Sequence, residues 1–172
     1  MKNVKIELKW AIIFTLTTLA WMLLEKTLGF HDERIENYWW LILLYLPVAF
    51  FIYILAMRET RRRVYKGVMT WRQGFLSGLL MAVFVTLLSP LAQYVTHNYI
   101  TPEYFESVRD YSVTNEFLTL EQANDYLNIT SYRWQAVIGS FLGGIATAAI
   151  GAFVTRKQIA NQDKEQAFTE EN

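Results

Sequence analysis

Cysteine is absent from this chain, and histidine occurs only twice, at His31 and His97. The first absence excludes disulfides, thiolate catalysis, cysteine-ligated zinc and iron–sulfur clusters. Any segment outside a membrane must therefore hold its shape by packing. The signatures of common chemistries are missing too: there is no His-Glu-x-x-His, no Gly-x-Ser-x-Gly, no P-loop and no glycine fingerprint for a dinucleotide. No two acids lie deep in different apolar runs, as a proton relay would need, and the last two runs carry no charge at all. No catalytic residue, cofactor or metal is expected.

What the chain has is hydrocarbon, and in long blocks. Hydrophobic residues make up 53% of the 172 residues and aromatic ones 16%. Four runs, about 10–30, 38–57, 74–96 and 134–155, are each long and apolar. A helix rises 1.5 Å per residue, so about 20 such residues cross the roughly 30 Å hydrocarbon layer. The expectation is an all-α, polytopic membrane protein: a four-helix transmembrane bundle over residues 1–157, followed by a polar cytoplasmic tail at 158–172. The N-terminus, with Lys2, Lys5 and Lys9 before an apolar run, has the look of a secretory signal. Thr18-Leu19-Ala20 is a poor cleavage site and the apolar run continues past it, so an uncleaved first span is expected.

Charge orients the bundle. Twelve of the 16 Lys and Arg residues fall at the N-terminus, in the loop Arg58–Arg72 or from Arg156 onward. Only Lys26, Arg34, Arg109 and Arg133 fall on the other side. The positive-inside bias then puts both termini in the cytoplasm, with the bacterial inner membrane as the expected location. Trp39 and Trp40, Trp71 and Trp134 mark the interfaces. The basic loop itself reads as a topology determinant facing anionic lipid; nothing in it calls for nucleic acid.

Several residues are ambiguous. Glu25 and Lys26 either sit at the outer interface with the lysine snorkelling, or Glu25 lies inside the bundle as an intramembrane polar site. His31 and His97 read most simply as exposed interfacial residues; the sharper alternative joins them with Asp32 and Glu33 around a metal. Pro47 predicts a kink in the second span, and Ser89-Pro90 a kink or fraying late in the third. Gly74 and Gly78 open the third span, while Gly139, Gly143, Thr147 and Gly151 recur every fourth residue along the fourth. Such ridges let helix backbones approach closely where apolar burial gives no drive. Packing within the chain is the simpler explanation, and a homodimer seam the alternative.

The outer segment 97–133 predicts two short amphipathic helices. Thr101-Pro102-Glu103 is a helix start, with Tyr104, Phe105, Val108 and Tyr111 on one face. Thr119-Leu120-Glu121-Gln122 has the capping-box pattern, and its helix should bury Leu120 and Leu127. Asn128-Ile129-Thr130 matches a glycosylation sequon without further support.

The order of these features resembles a bacterial four-span membrane family catalogued as domain of unknown function 4199. The resemblance is carried by Lys66-Gly67-Val68-Met69-Thr70-Trp71-Arg72-Gln73-Gly74-Phe75, by Thr101–Phe105, by Leu120-Glu121-Gln122-Ala123 and by the glycine-rich last span ending Arg156-Lys157. It implies the same architecture and assigns no activity and no functional residues. The expected function is that of a non-enzymatic accessory or scaffold protein in the bilayer, acting through contacts with itself or another membrane protein. The alternative is a small oligomeric transporter or channel. An enzyme acting on lipid through Glu25 is a third reading.

Overall fold

A computed structural model describes residues 4–31 and 34–157, the side chains of residues 37, 38, 39 and 42 excepted. Four long helices, α1 (Lys5–Thr27), α2 (Tyr38–Arg63), α3 (Trp71–Val95) and α6 (Ile129–Thr155), are long and apolar enough to cross a membrane. Two short ones, α4 (Tyr104–Thr114) and α5 (Leu120–Tyr126), cap one end. The tail at 158–172 lies outside the described residues, as do Asp32 and Glu33 of the metal reading.

The long helices overrun the apolar runs, because polar residues close their ends. α2 continues through Arg63 and stops at a turn in which the Gly67 amide donates to the Arg61 carbonyl. Gly67 there has φ +95°, a conformation that glycine adopts without strain. α3 starts in a capping box of Thr70 with Gln73, and α5 in the expected one of Thr119 with Gln122. Asn128, the sequon residue, caps α6 by accepting from the Thr130 and Ser131 amides. α3 neither frays nor ends at Pro90: it runs on to Val95 and widens into a π-helical turn, Thr96–Ile100. α4 begins at Tyr104, later than the Thr101 start expected, with Glu103 at the cap position. α5 buries Ala123, while Leu120, expected inside, is exposed.

The closest packing is between antiparallel α3 and α6, and it holds one register over its whole length. A Cβ added to Gly74 would meet the Ala152 Cβ at 3.2 Å, and one added to Gly78 would meet the Ala148 Cβ at 2.7 Å. One added to Gly144 would meet the Ala82 Cβ at 2.5 Å. Each step of four along α3 is thus met by a step of four back along α6. The next step places the Ser140 hydroxyl 3.3 Å from that of Thr86. At the other end the Met69 and Lys157 backbones bond each other in both directions, at 3.1 and 2.9 Å. Gly139 and Gly143 lie off this seam, since nothing stands within 4 Å of a Cβ added to either. Gly151 faces α2 instead, beside Met57 and Ile54. The seam of α6 is therefore rotated one residue from the glycine ridge: small residues fill two adjacent stripes, and complementarity to Gly74, Gly78 and Ala82 selects Gly144, Ala148 and Ala152.

α1 packs chiefly against α3 and α2. Its inward stripe is Glu7, Ala11, Phe14, Thr18, Trp21 and Glu25, at alternating spacings of four and three. Ala11 is fully buried; Phe14 meets Tyr45 and Tyr53 edge-on, and the Thr18 hydroxyl meets that of Tyr45. Large apolar side chains such as Leu16, Leu44, Leu87 and Leu142 stand exposed around the outside. That is the inverse of a water-soluble bundle and suits hydrocarbon solvent. The N-terminus, the α2–α3 loop and the end of α6 share one end, here termed the basic end; α4 and α5 cover the opposite, distal end.

Candidate functional site

Two buried carboxylates bracket the bundle. Glu7 and Glu25 are 18 residues apart on α1, about five turns, so they share one helix face and lie about 27 Å apart along its axis. That separation approaches the thickness of the hydrocarbon layer. Each carboxylate therefore sits near one boundary of the apolar slab, enclosed by protein.

At the distal end Glu25 is 2% exposed and His31 fully buried. The Trp21 indole N–H donates to Glu25 Oε1 at 2.6 Å, and His31 Nε2 lies 3.2 Å from Oε2. The carboxylate closes the C-terminal turn of α1 against the loop that follows, where Gly29 (φ +80°) lets the chain reverse. α4 then covers the pair with Tyr104, whose ring stands edge-on to His31 at 5.3 Å and against His97 at 5.6 Å. Phe105 and Tyr132 complete the enclosure, 4.5 and 6.2 Å from the His97 ring. The Tyr104 and Tyr132 hydroxyls are 3.3 Å apart. His97 Nε2 meets Gln93 Oε1 at 2.9 Å, whereas its Nδ1 is buried with no hydrogen-bond partner among the described residues. Both histidines are thus interior, not the exposed interfacial residues expected, because Tyr104 and its neighbours fold down over them.

At the basic end Glu7 is 7% exposed. The Ser77 hydroxyl of α3 donates to its Oε1 at 2.7 Å, and the Thr60 hydroxyl of α2 lies 3.4 Å from the same oxygen. The two hydroxyls are 3.2 Å apart. Three helices thus converge on one carboxylate, and among the described residues no cation pairs with it. Beside it lies a cavity of about 70 Å³, walled also by Val64, Tyr65, Leu76 and Leu80. A cavity of that size, with one carboxylate and two hydroxyls on an otherwise largely apolar wall, has room for water.

Nothing in the sequence reading singled out Glu7. Its signal was its spacing of 18 from Glu25, masked by the basic residues around it, which drew attention as a topology signal. Among the described residues no three His, Asp or Glu side chains gather as a metal-ligand set. Of the helix-packing glycines, Gly74, Gly78 and Gly151 make the contacts described above, while Gly139 and Gly143 have nothing within 4 Å of an added Cβ.

No curated protein and no solved structure matches the chain. The profile of one family, described as "Protein of unknown function (DUF4199)", matches residues 9–157, a span that takes in both clusters except for Glu7.

Proposed function

Since the chain belongs to the DUF4199 family, whose description assigns no activity, we propose from its geometry that it is a non-enzymatic accessory protein that binds another membrane protein through its distal cap. One arrangement supports this. Beneath the cap Glu25 meets His31 and His97 meets Gln93, and aromatic rings enclose both histidines, while the cap turns large apolar groups outward. Phe117 is 66% and Leu120 65% exposed, and Tyr99 and Tyr126 stand out beside them. Exposed aromatic side chains of that kind are frequent anchors of a protein interface. The orientation follows from charge: the basic end is cytoplasmic, the cap faces away from the cytoplasm, and the location is the bacterial inner membrane.

A photoreactive amino acid placed at Phe117 or Leu120 tests the proposal in cells. Cross-links to a discrete protein from both positions, and none from lipid-facing Leu87, are expected. Cross-links to lipid alone from the cap would overturn it. One observation favours the oligomeric transporter instead, namely the cavity beside Glu7. Ion flux from liposomes that is abolished by Glu7→Gln would decide for that alternative.

A further inference from the structure

The basic end carries a cleft of about 520 Å³ between α1 and α2. Lys9, Arg58, Arg62 and Arg63 line it, and Glu59 is the one carboxylate among them. Glu59 is fully engaged: its Oε2 takes the Lys9 ammonium and the Trp10 indole N–H, and its Oε1 takes Arg63 Nε at 3.0 Å. It thereby fixes two cations at the cleft wall and leaves the site with a net positive charge. Arg58 and Arg62, one turn apart on α2, have no ion pair among the described residues. The arginine run is divided in its roles, because Arg61 turns away to donate to the Thr155 carbonyl at 2.8 Å.

The remaining lining is apolar, from Trp10 and Leu55. One turn further from the basic end, Ile13 on α1 and Phe51 on α2 are exposed. An occupant of this cleft meets cations at one end and hydrocarbon-facing side chains at the other. We propose that the cleft is a binding site for the phosphate headgroup of an anionic phospholipid, with Arg58 and Arg62 on the phosphate and Lys9 and Arg63, braced by Glu59, beside it. The acyl chains lie along the outer faces of α1 and α2. A soluble phosphate would satisfy the cations and leave the apolar wall uncovered, which favours the lipid as the source of the anion. The site is independent of what binds the cap.

Thermal unfolding of the full chain in neutral detergent, titrated with phosphatidylglycerol or phosphatidylcholine, tests the assignment. Phosphatidylglycerol should raise the Tm and phosphatidylcholine should not. The double variant Arg58→Gln, Arg62→Gln should weaken the response to phosphatidylglycerol about 30-fold, taking about 1 kcal/mol for each basic residue and a factor of ten per 1.4 kcal/mol. Arg72→Gln with Lys157→Gln removes the same charge from the same end, at exposed positions outside the cleft, and should weaken it less than about 3-fold. Equal loss in both double variants would overturn the site in favour of a diffuse basic surface. Equal protection by the two lipids would overturn it outright. Protection by inorganic phosphate or glycerol phosphate at the same concentrations would overturn the lipid assignment.

Discussion

Glu7 and Glu25 are the same residue on the same face of one helix, yet the two ends of the bundle bury them by different means. At the distal end the carboxylate faces an imidazole and an indole N–H and is covered by aromatic rings. At the basic end it faces two hydroxyls and a cavity with room for water. A buried carboxylate is costly unless it is paired, neutralised or solvated. The first end solves this with a fixed partner, the second with adaptable donors. The lesson is that the distal end is built as a rigid plug that holds its cap in place, and the basic end as a polar joint among three helices.

Five substitutions would break or sharpen that contrast. The largest effect is expected from Gly144→Leu, which drives a side chain into Ala82 and Tyr53 on the seam connecting the two ends. It should cost about 3 kcal/mol or more, seen as lost folded protein in size-exclusion profiles. Gly143→Leu, one residue along, should be tolerated within about 0.5 kcal/mol. If both behave alike, the seam register is wrong.

Next comes Glu25→Ala, which removes a carboxylate partner of a fully buried histidine. A loss of about 3 to 5 kcal/mol is expected, with hydrogen exchange rising first in α4 and the loop after α1. Glu7→Ala should cost less, about 1 to 3 kcal/mol, because it leaves two hydroxyls that water in the neighbouring cavity can satisfy. A larger loss from Glu7→Ala than from Glu25→Ala in denaturant titrations would reverse the comparison. The smallest effect is that of Tyr104→Phe, which keeps the ring against both histidines and loses the hydroxyl that meets Tyr132. About 1 kcal/mol is expected, with the cap retained as judged by protease resistance of the segment 101–127.

Much of the fold was legible because the bilayer demands it. Four apolar runs, aromatic residues at their ends and twelve basic residues on one side specify four long helices, and the Thr119–Gln122 pattern marked its helix start. The candidate site was less legible. Glu25 was noticed, but its buried partner His31 packs against Tyr104, more than seventy residues later in the chain. The interior positions of His31 and His97 depend on the same fold-down, which no local pattern encodes. Leu120 failed as a core prediction because a helix of seven residues has one buried turn, and Ala123 occupies it.

By itself, then, the sequence determined the number, length and charge asymmetry of the spans, since these follow from backbone hydrogen bonding in hydrocarbon and from the positive-inside bias. Which face of each span turns inward was decided only in the tertiary structure. In water an amphipathic stripe would have announced it. In a bilayer the exterior is as apolar as the core, so hydrophobicity gives no direction, and steric fit between small residues must choose. That fit placed Gly144 inside and Gly143 outside. It also brought Ser77 and Thr60 to Glu7, and His31 to Glu25.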